Sequence, residues 1–163
     1  LERMRDPKHM PRWGNGGQRH VPPILELING HKLTSLVDYG CGLGMLMAEL
    51  AKFTTIPMVG YDPGIPERAA LPEQTDLLVS TDVLEHVEPE KLDGVLTHIR
   101  FLTGKMAYLN IHTGPANAKL PDGRNAHLIQ KPADWWKDKL GEYFTRVERV
   151  KGFDGHRPSF VCE

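Results

Sequence analysis

At 163 residues the chain is long enough for one domain and too short for two ordinary ones. With 40% apolar and 25% charged residues and a net charge of −1, it has the composition of a plain globular protein and no general nucleic-acid surface, so no duplex DNA partner is expected. No apolar run approaches the ~20 residues that span a bilayer, and two cysteines, Cys41 and Cys162, make no disulfide framework; the expectation is a reducing cytoplasm and no membrane partner. No signal-peptide pattern opens the chain, and the initial Leu1 implies that a few native residues were trimmed.

Residues 1–20 are polar and carry Pro11, Gly14, Gly16 and Gly17, the pattern of a flexible arm or of a lid that orders on binding. Residues 21–163 read as a single domain. Pro22 and Pro23 suit a helix start, and Ile24, Leu25, Leu27 and Ile28 follow before Gly30. A buried strand is expected over Leu36–Tyr39, then a helix over Met45–Phe53 with Met45, Leu46, Leu50 and Phe53 on one broad face. Short strands follow at Met58–Tyr61 and Leu77–Ser80. Pro89–Leu102 carries Leu92, Val95, Leu96, Ile99 and Leu102 at amphipathic-helix spacing. Met106–Ile111 reads as a strand and Pro132–Leu140 as a helix bearing Trp135 and Trp136, both in the core on one side. Phe144–Val150 and Ser159–Glu163 suit antiparallel strands joined through Gly152–Gly155.

This alternation predicts an α/β fold, a three-layer doubly wound and mostly parallel sheet with helices on both faces. Only thirteen residues separate Asp62 from Asp76, too few for a helix, a strand and two turns. One edge β-α unit should therefore be eroded, leaving six strands.

The strongest local signal is LVDYGCGLGML, Leu36–Leu46. A buried strand runs into Gly40, Gly42 and Gly44 and a helix opens at once, so the backbone turns sharply and approaches a ligand more closely than any Cβ would allow. Asp62 ends the next strand about twenty residues later, where an acid bridges two ribose hydroxyls. A nicotinamide dinucleotide loop is G-x-G-x-x-G, whereas this one is G-x-G-x-G with Met45 at the fifth position after Gly40. Asp38, two residues before the loop, suits a cationic ligand and not a pyrophosphate. An oxidoreductase is disfavoured on both grounds, and no NAD binding is expected.

From Leu33 to its end the chain resembles class I S-adenosylmethionine-dependent methyltransferases. Their first motif is matched by VDYGCGLG, their ribose acid by Asp62, and their fourth-strand motif by DLLVSTDVLEHV, Asp76–Val87. The resemblance implies S-adenosyl-L-methionine as cofactor, a reversed final strand, Asp38, Gly40 and Gly42 around the methionine part and Asp62 on the ribose. These enzymes usually carry a further acid that reads the adenine amine. It has no equivalent in the eroded segment, so adenine is expected to rest on Ala70 and Leu71.

Asp82, Glu85 and His86 follow a strand that points into the cofactor crevice, where Asp82 is expected to face the cofactor. One reading makes Asp82 and Glu85 a helix-capping pair, with His86 orienting a loop. The other reading joins them to His127, brought back over the crevice by a later loop, to hold a divalent cation. Acid-x-x-Glu-His is similar to the motif of small-RNA 3′-terminal ribose methyltransferases and ubiquinone-pathway O-methyltransferases; His127 before Trp135 and Trp136 is similar to the extension in the RNA enzymes. His112 ends a strand as a general base or as a hydrogen-bonded structural residue. Asp122, Gly123, Arg124 and Asn125 form either a solvated turn or a substrate-reading one. Cys41 is expected merely to pack, and His9, His20, His31, His98 and His156 earn no role.

Methyl transfer needs in-line placement of donor and acceptor, and an oxygen acceptor also needs its proton removed. His86, His112 and His127 therefore point to O-methylation, of a small molecule or of a chain terminus such as a glycan or RNA end. The alternative is a non-catalytic donor-binding sensor or subunit of the same fold.

Overall fold

The structure, a computed structural model, describes residues 17–150 and 156–163. Its elements are α1 (Val21–His31), β1 (Leu36–Tyr39), α2 (Met45–Leu50), β2 (Met58–Tyr61), β3 (Thr75–Thr81), α3 (Leu92–Leu102), β4 (Thr103–Asn110), α4 (Ala133–Gly141), β5 (Val147–Val150) and β6 (Ser159–Cys162). Among the described residues the strands form one six-stranded sheet in the order β2-β1-β3-β4-β6-β5. β1 to β4 are mutually parallel, and β6 runs antiparallel to both β4 and β5.

The sheet has a core on each face because alternate residues of its buried strands point opposite ways. Leu36, Leu77, Val79, Met106 and Tyr108 pack with Ile24 and Ile28 of α1 and Leu46 and Leu50 of α2. Val37, Leu78, Ala107 and Leu109 pack on the other face with Leu96 and Ile99 of α3 and Trp136 and Leu140 of α4. This is the three-layer arrangement expected from the alternation.

β2 passes to β3 through one 3-10 turn, Pro66–Arg68, with no intervening strand. β2 is consequently the sheet edge, and the side chain of Val59 is 41% exposed there. The chain leaves β1 towards one edge and β3 towards the other, which opens a crevice between the ends of β1 and β3.

Several boundaries move from those expected. α2 ends at Leu50 and not at Phe53, because its last turn tightens through 3-10 bonds from Lys52 N–H to the Glu49 carbonyl and from Phe53 N–H to that of Leu50. Phe53 is thus 66% exposed and Met45 42% exposed, leaving Leu46 and Leu50 as the buried face. Pro89–Lys91 is a separate 3-10 turn before α3. β4 starts at Thr103, directly on the end of α3, and stops at Asn110; β5 starts at Val147. The Gly152–Gly155 turn lies outside the described residues, as do residues 1–16 of the expected arm; Gly17–His20 forms a 3-10 turn against α1 and α2.

Candidate active site

Gly40 and Gly44 adopt φ of 77° and 78°, in the left-handed region that a side chain disfavours. A Cβ on Gly40 would overlap the Val83 side chain, and one on Gly44 would overlap the Arg68 guanidinium. The loop between them bounds a cavity of about 410 Å³, whose walls include Asp38, Gly40, Gly42, Asp82 and, from opposite ends of the chain, His20 and Arg157.

Asp38 occupies the middle of β1, between Gly60 of β2 and Val79 of β3. Its side chain is 3% exposed, and no hydrogen bond reaches the carboxylate within the described residues. Burial pushes its pKa up to about 7, against the opposing charge of Arg68. An unpaired, nearly dry acid on a cavity wall is a receptor for a cation.

Asp62 is spent differently. Gly42 N–H donates to its Oδ2 and Gly64 N–H to its Oδ1, both at 2.9 Å, so the acid ties the glycine loop to the end of β2. Arg68 braces the same loop from outside. Its Nη2 donates to the Leu43 carbonyl (3.0 Å), its Nη1 reaches the Cys41 sulfur (3.5 Å), and its own carbonyl accepts from Asp62 N–H (2.9 Å). Cys41 is accordingly both a packing residue and an acceptor.

On the other side of the crevice, Leu84–His86 is a single 3-10 turn, in which residues three apart nearly eclipse. Asp82 precedes it at φ 60°, a left-handed conformation costing of the order of 1 kcal/mol for a residue with a Cβ. One ligand atom from each of Asp82, Glu85, His86 and His127 lies within 4.8 Å of the others. No capping pair forms: Glu85 Oε1 accepts from the remote His112 N–H at 2.6 Å, and the 3-10 turn has no side-chain cap.

Glu85 is fully buried, and its Oε2 has no partner. Burial, and next the neighbouring Asp82 carboxylate, push its pKa up to about 8. The hydrogen-bond network assigns the imidazole tautomers. His86 Nδ1 meets the Ala126 carbonyl at 2.9 Å and His127 Nδ1 meets that of Gly114 at 2.7 Å, so both carry their proton there and present Nε2 lone pairs. Carbonyl-anchored histidines of this kind are what metal sites use to fix ligand orientation. The donor set, two carboxylates and two imidazoles with one orphaned buried oxygen, fits a divalent cation.

His112 lies beside them, with its ring centroid 4.7 Å from that of His127. Its Nδ1 accepts from Gly114 N–H at 3.0 Å, which leaves Nε2 protonated in the neutral ring. Of the two readings of His112, this contact matches the hydrogen-bonded one: in the neutral ring its free nitrogen is a donor and not a base.

The polar turn is structural. The Arg124 guanidinium forks onto both Glu88 oxygens at 2.8 Å and onto Asp122 at 2.7 Å, so three of its five N–H donors brace the turn. Asn125 Oδ1 accepts from the Ala116 and His127 N–H groups, and this brace sets His127 over the crevice. Leu71 is 74% exposed and does not line the cavity, so the adenine seat expected on Ala70 and Leu71 is not formed in this conformation.

Sequence reading missed four residues here. His20, set aside as having no role, is buried in the cavity wall with its Nδ1 3.0 Å from the Tyr108 hydroxyl, and burial lowers its pKa to about 4. Arg19 and Arg157 line the same cavity. Arg68 braces the loop. No motif surrounds any of them; their placement depends on tertiary structure alone.

A family model described as "Methyltransferase domain" matches residues 11–150. The chain belongs to the methyltransferase-domain family. Its membership is of the class I, S-adenosylmethionine-dependent kind, as the glycine loop resembles. A search of the curated proteins finds no sequence match. Among solved structures, this methyltransferase domain is similar to the DhpI–SAH complex, with 16% identity, 96% of this chain and 89% of that chain covered, and a TM-score of 0.68. It is also similar to the Burkholderia thailandensis 1,6-didemethyltoxoflavin-N1-methyltransferase with bound S-adenosylhomocysteine, at 14% identity, covering 91% of this chain and 78% of that chain, with a TM-score of 0.64. The CurJ carbon methyltransferase aligns at 14% identity and a TM-score of 0.63, with 90% of this chain covered. The domain spans about half of that chain, 53% of its length. At such identities the likeness is one of fold, and two of the three names are of a nitrogen and of a carbon methyltransferase. Among the described residues no helix is long and apolar enough to cross a membrane.

Proposed function

We propose that this methyltransferase domain transfers the methyl group of S-adenosylmethionine to an oxygen of a small molecule or chain terminus, assisted by a divalent cation. The observation that carries the proposal is the position of Asp82, which lines the donor cavity and is also one of the four groups whose ligand atoms lie within 4.8 Å. Donor and cation would then meet at one carboxylate.

Asp38 receives the donor's ammonium, and the left-handed loop at Gly40 gives it close access. Asp82, the orphaned Glu85 Oε2, and Nε2 of His86 and His127 would hold the cation. A bound cation supplies one thing: it lowers the pKa of an acceptor hydroxyl, which at roughly 15 is no nucleophile at neutral pH. The oxygen attacks the sulfonium methyl carbon in line, the C–S bond breaks to give a thioether, and the hydroxyl proton leaves to solvent, to which Asp82 and His86 are open. His112 Nε2–H is placed to donate to the acceptor.

A donor-dependent screen of hydroxyl-bearing acceptors, with and without a strong chelator, tests this. Chelator-sensitive transfer to oxygen supports the proposal. Transfer to nitrogen or carbon, or transfer indifferent to the chelator, contradicts it, and tight donor binding without turnover on any acceptor favours a sensor.

A further inference from the structure

The antiparallel pairing of β4 with β6 continues past both strands. Asn110 lies opposite Ser159, Ile111 N–H donates to the Pro158 carbonyl at 3.1 Å, and Thr113 N–H donates to the His156 carbonyl at 2.9 Å. That register sets Arg157 directly across from His112, in the non-hydrogen-bonded position between those two bonds. Facing Cβ atoms stand about 4.5–5.5 Å apart in such pairs, and their side chains leave the same face. The backbone there is fixed, because Asn110 Nδ2 donates to the Arg157 carbonyl at 3.1 Å and to the Pro158 carbonyl at 3.2 Å.

Arg157 is half-buried and lines the donor cavity, yet its guanidinium has no hydrogen bond or salt bridge among the described residues. Its charge depresses the pKa of His112 on one side and of His20 on the other, although burial is the larger cause for both. The register and the cavity lining together put Arg157 on the cavity wall and opposite His112. Arg19, the other cavity arginine with no hydrogen bond or salt bridge among the described residues, belongs to the 3-10 turn packed on α1 and α2.

We propose that Arg157 recognises an anionic group of the methyl acceptor, a phosphate or carboxylate borne close to the oxygen that is methylated. A guanidinium fork matches either anion through paired hydrogen bonds, and the His112 Nε2–H beside it adds a further donor. This rests on the proposed function, since it needs donor and acceptor in one crevice.

The test is a titration of inorganic phosphate into the metal-free full chain saturated with S-adenosylhomocysteine, followed by phosphorus NMR line broadening. Calorimetry of S-adenosylhomocysteine binding runs in parallel, and thermal melting confirms folding. The expected result is saturable phosphate binding to the donor-product complex, weakened about tenfold or more by Arg157→Gln and unchanged by Arg149→Gln on the outer strand β5. S-adenosylhomocysteine affinity should stay within about twofold in Arg157→Gln. Acetate that displaces the phosphate at similar concentration assigns the site to carboxylates, and failure to displace assigns it to phosphates. Equal phosphate affinity in wild type and Arg157→Gln overturns the proposal, and so does exclusion of phosphate by S-adenosylhomocysteine. A tenfold loss of S-adenosylhomocysteine affinity in Arg157→Gln overturns it too, because the guanidinium would then hold the donor's carboxylate. Failure of the wild type to bind S-adenosylhomocysteine is a separate result and sinks the donor reading itself.

Discussion

The two sides of the crevice are built by opposite means. The donor side is largely local: Asp38, the glycine loop and Asp62 lie within 25 residues of chain, and the Gly42 N–H bond to Asp62 ties the loop to the end of β2, while His20 and Arg157 close the cavity from far along the chain. The histidine side is assembled at a distance. His127 reaches Asp82 and Glu85 only because Asn125 braces its loop, and Glu85 is aimed by the N–H of His112, 27 residues away. The donor side also leaves a single acid bare, whereas the histidine side gathers four groups and fixes two imidazole tautomers through carbonyls. The contrast is one of construction: one side is held mostly within a short stretch of chain, and the other is gathered from separate segments around residues 82–86, 112 and 127.

Substitutions should separate the two sides. Glu85→Gln, which keeps the bond from His112 N–H but loses the anionic oxygen, should cut acceptor methylation on the order of 100-fold or more while S-adenosylhomocysteine affinity changes less than about twofold. Steady-state kinetics and calorimetry on one preparation check this; equal losses in both would merge the sides. Asp62→Ala should do the reverse. Removal of its hold on Gly42, and of the ribose contact expected of it, should weaken donor binding by about 1.5–3 kcal/mol, with bound-state turnover reduced much less.

Ionisation of Asp38 separates the sides again, through pH. Its pKa of about 7 in the empty fold exceeds the ordinary 3.8, so its protonated form favours the folded state. That contribution is complete below pH 3.8 and is lost as pH rises through about 7. The donor's ammonium favours the carboxylate. Donor affinity should therefore rise with pH up to about 7, by at most tenfold per unit, with release of up to one proton, and flatten above it. Calorimetry in buffers of different ionisation enthalpy counts the proton, and Asp38→Asn should abolish both the release and the slope. The smallest effect is expected from Arg68→Ala. Loss of its bond to the Leu43 carbonyl loosens the loop from outside by about 1 kcal/mol, seen as a few-fold rise in donor KM with kcat retained.

How much of this was legible follows the same division. The sheet, its crossovers and the missing edge unit were readable because apolar runs of four to six residues between turn residues report strands directly, and the short Asp62–Asp76 interval left no room for another. The glycines were readable because the positive φ at Gly40, Gly42 and Gly44 forces their identity in one short window, and Asp38 only as a carboxylate placed just before them. The cation-ligand set was readable as a candidate through the Asp82–His86 spacing and a distant His127, but no local rule said that Asn125 would deliver that histidine. Arg157 was not readable at all. Its position depends on a strand register that continues two residues beyond β6, and a lone arginine in a polar segment has no pattern to mark it. The tautomer of His112, which makes it a donor and not a base, depends on the Gly114 amide two residues on, a contact set by the loop's fold.

The most direct test of a crevice shared by donor and cation is a calorimetric titration of manganese(II) into the S-adenosylhomocysteine-saturated chain, repeated on Glu85→Gln and His127→Ala. The expected result is binding at one equivalent in the wild type, weakened at least about 100-fold in both variants, with S-adenosylhomocysteine still bound throughout. Absence of manganese binding to the wild type, or equal binding in all three proteins, would contradict a cation site built from Asp82, Glu85, His86 and His127.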